Sequence, residues 1–119
     1  MAEHNLLGEQ GEQLAVNYLL DKGYVILEKN YRYRKAEVDI IARVKDVLVV
    51  IEVKTRSSDY FGSPEEFVSQ KKIELLRSAI DYYVQENDLD VEVRFDIVAI
   101  IKKKDKPVIR YIEDAFLFF

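Results

Sequence analysis

The chain has no cysteine and a single histidine, His4, near its start. These absences exclude disulfides, thiolate zinc sites and thiol nucleophiles, and they leave no pair of histidines for a metal cage. Chemistry therefore has to rest on carboxylates, lysines and hydroxyls. No apolar run is long enough to cross a bilayer, and the first residues lack the basic-then-apolar pattern of a secretory leader. The expectation is a cytoplasmic protein without a membrane partner. Repeats, linkers and low-complexity stretches are also missing, so residues 1–119 read as a single domain large enough for one hydrophobic core.

Charge, by contrast, is plentiful. Charged residues make up 34% of the chain and the net charge is −4, which weighs against wholesale non-specific nucleic-acid binding. The balance is uneven along the sequence. Residues 31–56 carry seven basic and four acidic side chains, whereas residues 57–92 are strongly acidic. A divalent cation on the carboxylates of 31–56 would leave that region distinctly basic.

Apolar spacing predicts a helix over 6–22, with Gly23 as its stop. Glu12, Ala15, Val16 and Leu19 share one face of it, so a carboxylate lies on the core side. Glu12 is then either a boundary residue whose stem packs while its head reaches water, or a functional acid. Strands follow at 24–33, from Glu37 to Ala42, and at 47–54. Val25 and Leu27 are expected on one face of the first strand and Ile26 on the other. Lys45-Asp46 forms a tight turn between the second and third strands. A helix start is expected at Ser63-Pro64-Glu65-Glu66, with a second possible start at Ser69, and the helix ends near Asn87. Strands at 91–102 and 108–112 complete the order α-β-β-β-α-β-β. The fold class is α/β (α+β by some criteria), with a central mixed sheet of about five strands flanked by helices. The apolar ending Phe116-Leu117-Phe118-Phe119 either folds back onto the core or meets another subunit.

The chemistry concentrates at the end of the apolar run 47–51, where Glu52, Val53 and Lys54 follow. Alternation puts Glu52 and Lys54 on one face, and Glu37 and Asp39 on one face of the neighbouring strand. Asp39 and Glu52, with the Val53 carbonyl, can hold a hard divalent ion such as Mg2+, or Mn2+. Lys54 beside them can position an attacking water or offset charge building on phosphorus. As a purely structural ion group, two carboxylates against one lysine are poorly compensated, because desolvation costs several kcal/mol per ion. Arg32, Arg34 and Lys35 surround Tyr33 in a cluster suited to a phosphate backbone with a stacking ring, or to an ordinary solvated turn. Arg56 and Lys72 join the candidate nucleic-acid-binding set. Lys72, in a first helical turn, reaches an anion beyond the helix end, pairs with the cluster carboxylates, or snorkels to water.

Asp39 followed after a short hairpin by Glu52-Val53-Lys54 resembles the core of the PD-(D/E)XK nucleases. More closely, an ordered series resembles the YraN family of bacterial proteins, which is distantly similar to archaeal Holliday junction resolvases. The series comprises Gly11-Glu12, Tyr18-Leu19, Gly23-Tyr24, Asn30-Tyr31-Arg32, the Glu37–Ala42 strand, Val50–Arg56, Phe61-Gly62-Ser63-Pro64, Val68 with Lys72, and Arg94-Phe95-Asp96. The resemblance implies a restriction-endonuclease-like fold, metal binding at Asp39 and Glu52, catalytic Lys54, and Glu12 as an accessory acid. It also implies branched or structured DNA as partner, and by analogy a homodimer. Ala36 stands where that family usually has glycine, so a turn needing positive φ would have to be rebuilt. The alternative is a non-catalytic nucleic-acid-binding or protein-interaction module on the same fold. A third possibility is an assembly protein using the 116–119 tail.

Overall fold

Three antiparallel hairpins and one parallel crossover build the sheet. The computed structural model describes residues 2–56 and 68–116, without the side chains of 2–9. Helix α1 spans Ala2–Asp21, starting earlier than its apolar spacing suggests, and is followed by β1 Val25–Tyr33, β2 Ala36–Val44 and β3 Val47–Arg56. Helix α2, Gln70–Glu86, then crosses over to β4 Glu92–Ile101, and β5 Val108–Ile112 closes the edge. The strands lie in chain order in one five-stranded sheet. Only β3 and β4 pair in parallel, consistent with the helical crossover between them; the other neighbours are antiparallel. The expected mixed α/β architecture and element order are both present.

Each face of the sheet has its own helix. On one side Ala15, Val16 and Leu19 of α1 pack on Ile40, Ala42, Val49, Ile51, Val98 and Ile100. On the other, Leu76, Ala79, Ile80 and Tyr83 of α2 pack on Val38, Ile41, Leu48, Val50, Phe95 and Ile97. Strand β3 is thus buried on both faces, which is why its sequence is a continuous apolar run rather than an alternation. Each such side chain contributes roughly 1.5–3 kcal/mol on burial, so the strand's end is held firmly in place. Phe116 joins the α2-side core, and the Ala115 amide donates to the Phe95 carbonyl at 2.7 Å. That much of the tail folds back; residues 117–119 lie outside the described residues.

Local signals explain the element ends. Gly23 takes φ +89°, a left-handed value that a Cβ disfavours, and ends α1. Ser69 caps α2, its hydroxyl accepting from the Lys72 amide at 3.1 Å. The second of the two expected helix starts is therefore used, while Ser63-Pro64 falls outside the described residues. On β1, Val25 and Leu27 are exposed and Ile26 packs inward, with a register shift between Ile26 and Glu28. The turn before β2 places its positive φ at Arg34 and not at Ala36, so alanine there carries no backbone penalty.

Candidate metal centre at the sheet rim

Strict alternation fails where the site forms. Val38 belongs to the α2-side core and Ile40, two residues on, to the α1-side core. The side-chain parity therefore breaks at Asp39. The regular β2–β3 register runs only from Val44↔Val47 to Ile40↔Ile51. Beyond it the Asp39 carboxylate takes over the ladder, accepting the Val53 amide on Oδ2 at 2.8 Å. Glu37 turns instead to β1, pairing with Arg32 at 3.1 Å. The expectation that Glu37 and Asp39 share a face is thus replaced: Glu37 pairs with Arg32 on β1, while Asp39, where the alternation breaks, turns its carboxylate to the Val53 amide of β3.

Glu52 is only 5% exposed, and its Oε2 has no hydrogen-bond partner among the described residues. Lys72 stands 3.7 Å from that oxygen while donating to the Glu37 carbonyl at 3.3 Å. Of the roles open to Lys72, the structure places it beside the carboxylates. Burial pushes the Glu52 carboxyl up to about 8, and a hydrogen bond with Asp39 and its charge add to that; Lys72 and Lys54 pull it back. Two carboxylates this close in a low-dielectric setting resist being ionised together. Lys54, partly buried on the same strand face, lies near enough to act on Glu52.

Glu12 approaches from α1. Gly11 makes this possible, because a Cβ there would overlap Thr55 Oγ1 on β3. Burial raises the Glu12 carboxyl first and the Asp39 charge second, while the Asn30 side chain opposes them. Glu12 lines a cavity of about 210 Å³ with Gln13, Val16, Lys29 and Asn30. Asn30 itself has φ +54°. It sits between Lys29, which faces this cavity on the α1 side, and Tyr31, which packs into the α2-side core. Neither Lys29 nor Asn30 was singled out from sequence as a site residue; Asn30 is a residue type that tolerates the left-handed region, and that was the available signal.

No group of three or more His, Cys, Asp and Glu able to hold a metal occurs among the described residues. Mg2+ does not require one, since it is commonly held by one or two carboxylates and keeps its waters or takes substrate phosphates. A buried carboxylate oxygen without a hydrogen-bond donor, next to a second carboxylate, fits that demand. Asp39, Glu52 and the Val53 carbonyl are the residues that would hold it.

The remaining basic candidates surround the same end of the sheet. Arg32, Arg34 and Lys35 are exposed at the β1–β2 turn, with the Arg34 guanidinium 5.3 Å from the Tyr33 ring centre. Arg56 ends β3, and its carbonyl accepts the Lys102 amide at 2.8 Å. A second buried polar group lies on β4, within the Arg94-Phe95-Asp96 piece, and its partners are not readable from the sequence. Asp96, 1% exposed, binds the Arg94 guanidinium at 2.9 Å, the Tyr111 hydroxyl and the Asp114 amide at 2.8 Å. Arg94 also donates to the Tyr24 hydroxyl at 2.8 Å. The visible signal was an acid within an otherwise apolar strand.

The fold and site together define an α/β protein whose described residues form a five-stranded mixed sheet with a helix on each face and a carboxylate–lysine centre where β2 stops pairing with β3. Residues 11–100 match the family described as "Uncharacterised protein family UPF0102", and the chain belongs to that family, the YraN-like one its motifs resemble. It is similar to a UPF0102 protein of Christiangramia forsetii, 59% identical over the whole of both chains. A UPF0102 protein of Flavobacterium psychrophilum is 55% identical, again over both full lengths. One from Thermodesulfovibrio yellowstonii is 48% identical over 92% of this chain and 95% of its own. No helix among the described residues is long and apolar enough to cross a membrane.

Proposed function

We propose that this protein is a metal-dependent endonuclease hydrolysing phosphodiester bonds in structured or branched DNA. The observation that carries the reading is the bare, buried Oε2 of Glu52 beside Asp39. Leaving a buried carboxylate oxygen without a donor costs roughly 1–3 kcal/mol or more, a cost that function explains better than stability does. Bound between Asp39, Glu52 and the Val53 carbonyl, Mg2+ or Mn2+ would polarise a phosphoryl oxygen and make nearby water more acidic.

The protein's own groups divide the remaining work. Asp39 is oriented by the Val53 amide, which donates to its Oδ2. Lys54 holds the attacking water and offsets the negative charge growing on the phosphoryl group. Lys72, anchored on the Glu37 carbonyl, compensates Glu52 until a cation does so. Glu12, whose carboxyl is already raised by burial, serves as a water-mediated ligand or proton acceptor. Arg32, Arg34, Lys35 and Arg56 hold the phosphate backbone around the scissile bond.

The test is an activity panel on four-way, flapped and linear DNA with Mg2+ or Mn2+. Wild type is expected to cut at least one branched substrate, and Lys54→Ala to lose about 100-fold or more of that rate. Wild type inert on every substrate with both metals would remove the reading. The overall negative charge supports a second one, a binding module without hydrolysis. Mg2+ titration separates the two: a nuclease binds the ion and loses it in Asp39→Ala, whereas a binding module need not respond.

A further inference from the structure

Beside the carboxylate centre lies a cavity of about 300 Å³ between the β1–β2 turn and α2, lined by Tyr33, Arg34, Lys35, Ala36, Leu75 and Ser78. Its composition differs from that of the centre. An aromatic ring and a leucine form apolar walls, two exposed cations stand at the rim, and no acid lines it among the described residues. Tyr33 is braced from α2 by a stacked Tyr82, with ring centres 4.3 Å apart and planes 20° from parallel. Arg34 occupies the turn at φ +55°, a conformation that glycine or asparagine would adopt at less cost. An arginine kept there against its backbone preference points to a use for its side chain.

Resting on the nuclease reading above, we propose that this cavity takes one unpaired nucleobase of the DNA substrate, held against Leu75 and the Tyr33 face away from Tyr82; the Arg34 guanidinium, now 5.3 Å from that ring's centre, moves off it to join Lys35 on the flanking phosphates. A ring face is available for such stacking only when the base has left the duplex. The placement suits a strand running into the centre. Leu75 is one helical turn beyond Lys72, roughly 5 Å along α2, and Ala36 directly precedes Glu37, whose carbonyl holds Lys72. That is about one to two nucleotide steps at roughly 3.4 Å each. The substrate class narrows accordingly, to DNA with an unpaired nucleotide beside the cleaved bond, such as a flap, a gap or a single strand.

Binding measured in EDTA separates this inference from the cleavage reading. Fluorescence anisotropy with a short single strand and a blunt duplex of the same sequence is expected to favour the single strand by roughly 10-fold. Tyr33→Phe keeps that preference and Tyr33→Ala abolishes it, with duplex affinity little changed. A 2-aminopurine in the strand is expected to be quenched on binding wild type, a readout that needs no variant to fold. Equal affinity for both DNAs, absent quenching, or equal losses on both in Tyr33→Ala would each overturn the pocket. If base-selective binding is present and no metal supports cleavage, the nuclease reading fails and the pocket stands. Cleavage indifferent to unpaired bases and to Tyr33 gives the opposite result.

Discussion

Two acids sit one pairing step apart in this sheet and have opposite fates. Asp96 on β4 pairs with Ile51, and Glu52, the next residue of β3, pairs with Ile97. Their side chains therefore leave opposite faces of the sheet. Asp96 is surrounded by donors: the Arg94 guanidinium, the Tyr111 hydroxyl and the Asp114 amide. Burial alone would lower Arg94, but Asp96 and the tyrosine hydroxyls more than reverse this and keep it charged. Burial, then the bond to Asp96, pushes the Tyr111 phenol upwards. Glu52 is almost as buried yet has a bare oxygen, a second acid beside it and a lysine at 3.7 Å. A satisfied buried acid ties β4 to β5 and, through Arg94, to Tyr24 just ahead of β1. An unsatisfied one keeps its oxygen available.

The comparison breaks most severely at Asp96. Removing it leaves Arg94 with only the exposed Glu113 as counter-charge and takes the carboxylate from the Tyr111 hydroxyl, and loss of one partner of a buried ion pair costs about 3–5 kcal/mol. Asp96→Ala is expected to lose that much in urea denaturation at neutral pH. A loss below roughly 1 kcal/mol would show the network to be no more than a surface pair. Glu52→Gln goes the other way. In the native protein Glu52 still holds its proton at pH values where the unfolded chain, with its ordinary value of 4.5, has released it. The folded state then binds more protons, so stability falls as pH rises from about 4.5 to about 8 and levels off above. In EDTA at pH 9, Glu52→Gln is expected to be more stable than wild type by ~1–3 kcal/mol, with the two nearly equal at pH 5. Wild type and variant falling in parallel with pH would place the ionisation cost elsewhere.

These contrasts also show what a sequence reveals. Glu52 and Lys54 were legible because they interrupt an apolar run, and Asp39 because a two-residue turn leaves little freedom in the facing strand. The element order was legible for the same reason: periodicity and caps act locally. Asp39's turn towards Val53 was not legible, since a period of two assumes unbroken alternation, and here it breaks between Val38 and Ile40. The partners of Asp96 were hidden differently. Tyr24 is 70 residues from Arg94, and Tyr111 is 15 from Asp96 on an edge strand, so only the completed sheet brings them together. Lys72 had three sequence-compatible roles, and the Glu37 carbonyl, set by the start of β2, selects among them.

The smallest effect tests how α1 brings Glu12 close enough to feel the Asp39 charge. Gly11 is buried in the middle of a helix, where alanine would ordinarily gain about 0.8–1 kcal/mol. Here a Cβ would overlap Thr55 Oγ1, while its next neighbours, Ile100 Cδ1 at 3.5 Å and Thr55 Cβ at 3.7 Å, are ordinary contacts. The conflict is thus with one hydroxyl on a side chain whose β-branching leaves it few rotamers. Gly11→Ala alone is expected to forfeit the propensity gain and come out neutral or ~1 kcal/mol less stable, with cleavage reduced as Glu12 moves off Asp39. With Thr55→Ala in the background, the same substitution has room and is expected to stabilise by about 0.5–1 kcal/mol. Because the two residues touch, their effects should not add, and a double-mutant cycle by urea denaturation reads the difference directly. Strict additivity would mean that the helix does not rest on Thr55, and the approach of Glu12 would then need another cause.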